Sequence, residues 1–433
     1  MSSSLVLLMV LLALSAVGSF LVSGRGRGVG LASGLEFVAL GFAVGPFALG
    51  MVDRPMIDQF EPILQVALAW FTFNIGLDIG FVGEKRAPFR VMVLGAVSAL
   101  FTGALVFAVV FPLARLLHVE DTRGCVILAG GIAAACAETT RHVVRWAEAR
   151  HGAKGKLTEI ISGFGSSDDF APILASAVFF AMSASVGDKV HVSIPIGGFI
   201  AATAVLGLLL GGVAILLVRN TDGHEVWAAL IGTLLLGSGI AARFGLLPTA
   251  VTFVMGITLG FSKHRGALRG LVRPTERAVI LPTLLLAGTR LDVRVVAENR
   301  LLIVLVVAAI AARFVGKLAS GGMVRTLSEP ARKAGKTLGL ALVSSGALSI
   351  AVGLSFALRM PGVIGDTVLV AAVACALVGE IIGPRSLRVA LLRTGDIEPP
   401  VVLTPPPPSD LGSEESLASE GNLDEDSPEE TVP

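Results

Sequence analysis

The chain has 433 residues, 54% hydrophobic and only 15% charged, with mean hydropathy +0.81. Soluble domains carry about a quarter charged residues, so this composition excludes an ordinary water-soluble protein and indicates an all-α polytopic membrane protein. The formal net charge of +1 and the lack of a long basic run give no reason to expect a nucleic-acid partner.

Hydropathy predicts about 13 transmembrane helices, at 5–23, 34–52, 61–82, 89–117, 123–146, 157–183, 193–218, 225–242, 246–262, 275–289, 300–324, 335–358 and 365–383. The first lacks a basic region ahead of it, so it reads as a retained helix despite the small residues Ala16-Val17-Gly18. Cys125, Cys136 and Cys375 lie in apolar runs without metal-ligand spacing and read as small core residues. Beyond Arg393 the character changes. Prolines and then an acidic Ser/Glu run make 396–433 a disordered, Pro-rich cytoplasmic tail following a membrane domain of residues 1–395.

Lys and Arg set the orientation. Loops after odd-numbered spans carry roughly 22 basic residues and the other loops about 9. The expectation is a multi-pass protein of the cell (plasma or inner) membrane, N-terminus outside and C-terminus cytoplasmic.

The chain also repeats itself. Gly45-Pro46 through Gly76-Leu77-Asp78 has a counterpart in Gly256 through Gly288-Thr289-Arg290-Leu291-Asp292, offset by about 210–214 residues. Spans 1–6 then match spans 8–13. Matching spans are an odd number apart, so the two six-helix repeats, roughly 1–184 and 225–395, are inverted in the membrane about a linker helix at 193–218. Inverted repeats belong to secondary transporters that work by alternating access.

Spans 5 and 12 are predicted to be broken at equivalent places. In span 5, Glu138-Thr139-Thr140-Arg141-His142 interrupts an apolar run; in span 12, Ser344-Ser345-Gly346 does. Such breaks expose helix-end carbonyls and N–H groups at membrane depth, and the hydroxyls of Thr139, Thr140 and Ser345 can partner them. Span 6 carries the pair Asp168-Asp169 inside the apolar run Ile160–Met182. A carboxylate at that depth costs several kcal/mol unless it faces a wet cavity or a partner, so the pair is the candidate site. Span 11 supplies Arg313, whose guanidinium does not deprotonate and therefore needs an anionic partner, and Lys317 one turn on. Glu380 in span 13 stands about one repeat offset beyond Asp168, as a pseudo-symmetric acid or as a helix-end cap.

On these residues, over about 35–390, the chain resembles the monovalent cation:proton antiporters of the sodium/proton exchanger superfamily, nearest the Kef-like second family. Gly45-Pro46 with Leu49-Gly50, and Asn74-Ile75-Gly76-Leu77-Asp78, are similar to the family's early helix ends; Ser167-Asp168-Asp169 is similar to its paired-acid motif. Ala137-Glu138-Thr139-Thr140 falls at its unwound crossing helix, Arg313-Phe314-Val315-Gly316 at its basic partner helix, and Gly339–Val352 at its second crossing helix. The chain departs from the pattern where Ser345-Gly346-Ala347 stands in place of a charged group, and where Glu138 and Arg141 add charges to the first crossing.

The resemblance implies a six-helix core with two crossing discontinuous helices moving, elevator-like, against a dimerisation domain, and hence a homodimer in membrane lipid. It implies exchange of Na+ or K+ for protons, these ions being substrates, with no cofactor and no enzymatic reaction. Asp169 would be the main cation ligand and proton carrier, and Asp168 the second acid, paired with Arg313 in the empty state. Glu138, Thr139 and nearby carbonyls would complete an oxygen shell for a monovalent cation, with Lys317 a further charge partner. Two adjacent carboxylates in a cavity of low dielectric titrate as a coupled unit, which suits competition between a cation and a proton. Rival expectations are an organic-anion symporter of similar inverted-repeat architecture, using Arg141 or Arg313, and a transport-inactive sensor. An intramembrane aspartyl protease fits poorly, because two serines separate Gly163-Phe164-Gly165 from the acids and the chain has no tyrosine.

Overall fold

The computed structural model describes residues 33–82, 85–139, 141–184, 195–219 and 224–398. The predicted first span, Thr140 and residues 399–433 of the predicted tail lie outside the described residues. The described chain is helical apart from a two-stranded hairpin, β1 (Phe81–Val82) with β2 (Lys85–Arg86).

In chain order the helices are α1 (Leu35–Val44), α2 (Arg54–Asp58), α3 (Glu61–Asp78), α4 (Phe89–Leu116), α5 (Thr122–Ala137), α6 (His142–His151), α7 (Lys156–Ser167) and α8 (Phe170–Ala184). There follow α9 (Ile196–Val218), α10 (His224–Arg243), α11 (Pro248–Gly260), α12 (Arg265–Val272), α13 (Glu276–Arg290) and α14 (Val293–Glu298). The last are α15 (Arg300–Arg325), α16 (Glu329–Lys333), α17 (Thr337–Ala341), α18 (Ala347–Arg359) and α19 (Val363–Thr394). Among the described residues, five helices are long and apolar enough to cross a membrane: α4, α9, most of α10, α15 and α19. Three of the other predicted spans, 5, 6 and 12, are each divided into two shorter helices.

Spans 5 and 12 are broken where the sequence predicts. Span 5 divides into α5 and α6 around Glu138–Arg141, and span 12 into α17 and α18 around Leu342–Gly346. Span 6 was expected to be one helix and is two. The turn between α7 and α8 is the acid pair itself, and Asp168 keeps helical angles of φ −74° and ψ −18°. Pro172 has no N–H to donate to the carbonyl of Asp168, and its ring crowds that carbonyl. The hydroxyls of Ser166 and Ser167 also bond back to Gly163 O at 2.8 and 3.1 Å, which bends a helix further. The predicted last span ran to residue 383, whereas α19 continues through Pro384 to Thr394.

Two pairs of helices approach backbone to backbone. A Cβ on Gly41 or on Gly288 would collide with α13 or α1, at 1.9 Å from Leu285 O and 2.1 Å from Val38 O. One on Gly76 or Gly256 would stand 2.2 Å from Phe253 O or Phe73 O, so α3 and α11 close on each other in the same reciprocal way. Without a hydrophobic force between helices in lipid, such small-residue contacts are what lets them pack. Trp70, Phe73, Leu210, Leu230, Met255 and Leu268 join α3 and α9–α12 in one apolar core. A second, larger core runs through α1, α4, α5, α8, α13, α15, α18 and α19.

The compact unit includes residues 396–398, which the sequence predicts to belong to the tail. Asp396 and Ile397 are buried. The Asp396 carboxylate accepts both the N–H and the hydroxyl of Thr158 at 2.8 Å, and its carbonyl accepts the N–H of Lys154 at 2.9 Å. This caps the first turn of α7, a helix whose own N-cap residue, Gly155, has no side chain to do so.

Candidate functional site

The ends of the two broken helices meet. The carbonyl ends of α5 and α17 carry the negative ends of their helix dipoles and have no helical partners for their last carbonyls. Arg313 answers both at once. Its guanidinium donates to Cys136 O and to Glu138 O (2.8 Å) on one side, and to Val343 O (2.9 Å) and Ser344 O (3.1 Å) on the other. Lys317, four residues on and therefore on the same helix face, donates to Ala137 O at 2.6 Å and to the Thr139 hydroxyl at 2.7 Å. Both side chains are fully buried, so neither snorkels, while Val304, Val307, Val315 and Leu318 on other faces of α15 are exposed to the surroundings.

The positive end of α18 is capped from across the site. Glu138 Oε1 accepts the N–H of Gly346, and the Ser345 hydroxyl lies 3.4 Å from it. Ser349 donates to Ala135 O and lies 2.6 Å from Ser345. The Thr139 hydroxyl donates to Leu342 O at 3.2 Å. Gly379 of α19 backs this second break: a Cβ there would stand 2.8 Å from Ser345 N and Val343 O.

The acid pair faces this junction. Asp168 is fully buried, and its Oδ2 lies 3.7 Å from Lys317 Nζ. Asp169 points to the other side, its Oδ2 3.1 Å from Arg141 Nη2. Two sequence expectations change accordingly. Arg313 is not the partner of Asp168; four carbonyls occupy its guanidinium, and Lys317 takes the carboxylate. Glu138 was expected to ligate the ion, but its Oε1 is committed to the N-terminus of α18. The Thr139 hydroxyl is engaged by Lys317. Ser344, Ser345 and Gly346 form the second break as expected. Glu380 is buried in the unbroken part of α19, next to Gly379.

A second charged cluster, not foreseen from the sequence, adjoins the first. Asp78, at the end of α3, lies 2.8 Å from Arg269 Nε, 3.5 Å from Arg145 and 4.0 Å from both Arg141 and Arg265. Glu276 lies 3.1 Å from Arg145 and 3.9 Å from His142. The signal was present in the spacing. Arg141 with Arg145, and Arg265 with Arg269, are each four residues apart and so share a helix face aimed at a carboxylate. Arg141 belongs to both clusters. Cys136 and Cys375 are buried with their sulfurs 3.0 Å apart, beside the carbonyl that Arg313 takes.

Broken helices joined by a buried arginine, beside an acid pair with two cationic partners, can exchange one bound cation for another without covalent chemistry. The fold is that of solved sodium/proton antiporters. The structure at pH 8 of MjNhaP1, the sodium proton antiporter from Methanocaldococcus jannaschii, is similar at 14% identity. That match has a TM-score of 0.67 over 90% of this chain and 99% of the other. An electron-microscopy map of the same archaeal protein matches at 15% identity and a TM-score of 0.65, covering 91% and 99%. From residue 9 to residue 392 the sequence fits the family model for the transmembrane sodium/hydrogen exchangers, and the chain belongs to that family.

Proposed function

We propose that the protein is a secondary antiporter exchanging a monovalent cation, Na+ or K+, for protons at the pair Asp168 and Asp169. Its family is one of transporters rather than enzymes, needs no cofactor and has ions for substrates. The observation that carries the site assignment is the turn between α7 and α8. It presents two adjacent buried carboxylates with different cationic partners, Lys317 for Asp168 and Arg141 for Asp169. Adjacent carboxylates repel, so a proton or a desolvated cation is favoured on one of them, and the two compete.

Asp169 is the carrier in this reading, and Asp168 with Lys317 the pair that opens when the cation binds. Oxygen ligands for a hard cation are available from Thr139 and the carbonyls of the first break. In the reciprocal packing of α1 on α13 and of α3 on α11, the equivalent glycines Gly41 and Gly256, and Gly76 and Gly288, stand about 215 and 212 residues apart, which supports inverted repeats. Alternating access would then follow from motion of the group holding the broken helices against the group containing α3 and α9–α12. A homodimer, an outside N-terminus and a cytoplasmic C-terminus complete the reading.

The test is transport by purified protein in liposomes carrying a pH-sensitive dye, with Na+, K+ and Li+ added in turn. Asp169→Asn keeps the shape of the side chain and removes its charge. Cation-driven proton movement should vanish while the melting curve shows a folded protein. Exchange at the parent rate by that variant would remove the acid pair from the mechanism.

A further inference from the structure

We infer that Arg141 is a tethered cation that occupies the substrate position on Asp169 in the empty carrier, and that an entering cation must displace it towards Asp78. The inference rests on the reading of Asp169 as the ion site and specifies what sets the affinity of that site.

One guanidinium stands between two carboxylates. Arg141 Nη2 is 3.1 Å from Asp169 Oδ2, and its Nη1 is 4.0 Å from Asp78 Oδ2. A small shift therefore exchanges one partner for the other without leaving the charge bare. Arg141 immediately precedes α6, beside the positive end of that helix dipole, so the carboxylates and not the helix hold it there. Gly165 of α7 lets it approach; a Cβ at that position would stand 3.1 Å from Arg141 Cγ.

The chemistry separates the two cationic partners of the acid pair. An ammonium such as Lys317 can leave a carboxylate by giving up its proton. A guanidinium keeps its charge in proteins, so Arg141 can yield Asp169 only by moving. Its alternative seat is already contested, because Asp78 also holds Arg269 at 2.8 Å and Arg145 at 3.5 Å. Displacement is thus opposed by like charge, and Arg141 weakens cation binding. Asp78 limits the penalty by receiving the displaced charge.

The two residues therefore carry opposite expectations. At pH 8.5, where protons compete least, Arg141→Gln in liposomes should lower the apparent KM for the driving cation, Na+ or K+, by about tenfold. That is the scale on which an opposite charge at this distance alters a carboxylate's affinity for a proton. Arg141→Lys, which keeps a displaceable cation, should stay nearer the parent. Asp78→Asn should raise the KM in the parent and leave it unchanged in the Arg141→Gln background. Melting curves identify any variant that does not fold, and the direction of change in the remaining ones still decides. An unchanged or raised KM in folded Arg141→Gln, or a lowered one in Asp78→Asn, overturns the inference. Full exchange by Asp169→Asn would instead overturn the site assignment, so the two failures are distinguishable.

Discussion

The carboxylate of Glu138, at the end of one broken helix, accepts the N–H of Gly346, which opens the other. A residue from the first break thus caps the second, and an acid beside the N-terminus of α18 also suits that helix dipole. Gly346 is extended, at φ −142° and ψ −152°, and no side-chain cap from its own position is available. The charge that the second break lacks in its own sequence is supplied from α5 across the site.

Glu138→Gln keeps an acceptor oxygen and should cost less than about 1 kcal/mol. Glu138→Ala leaves the Gly346 N–H buried without a partner and should cost about 1–3 kcal/mol. Thermal unfolding in detergent, compared between the two variants, measures this. Equal losses would mean that the hydrogen bond to Gly346 does not contribute.

Asp168→Asn leaves Lys317 as an unpaired buried charge. Removing one member of a buried pair typically costs about 3–5 kcal/mol. A second substitution, Lys317→Gln, should recover part of that loss, whereas Arg313→Gln in the same background should add to it, because Arg313 holds carbonyls instead. The melting temperatures of the two double variants give the comparison directly.

Arg313 ties the carbonyl ends of α5 and α17 together. Arg313→Lys retains the charge but offers three donors on a compact ammonium in place of a flat fork. It should be clearly destabilising, and Arg313→Met more so, by about 3 kcal/mol or beyond, since several carbonyls lose their donor. A melting curve within a degree of the parent for Arg313→Met would contradict the clamp.

Asp396 lies just beyond the end of α19 and caps α7 through Thr158. Truncation after Glu398 should leave both stability and ion-driven proton movement unchanged. Asp396→Ala in the full chain should cost about 1–2 kcal/mol, as helix N-cap losses do. Comparing the two melting curves separates the role of this residue from that of the segment beyond it.

The residue types and their spacing were enough for the membrane class and the two helix breaks, and they singled out the acid pair as the candidate site. Long apolar runs have few other fates, and charges or Ser-Gly steps inside them stand out against that background. The unbroken apolar run ahead of Arg313 marked that residue as lying at depth, whereas Lys317, one turn nearer the cytoplasmic loop, was open to snorkelling until the structure buried both. The kink at Asp168 was also within reach, because Pro172 removes one particular hydrogen bond, but the unbroken hydropathy of span 6 concealed it.

Which partner each charge takes was settled only by the tertiary structure. Arg313 needs anionic or dipolar oxygen. From the sequence a carboxylate is the evident choice, yet two helix C-termini brought together offer it four carbonyls. Asp168 then falls to Lys317 and Asp169 to Arg141. Glu138 turns to a helix N-terminus that lies 208 residues along the chain. The sequence marks where helices break and so where free carbonyls arise, but which side chain reaches which carbonyl depends on how the broken ends are brought together in space.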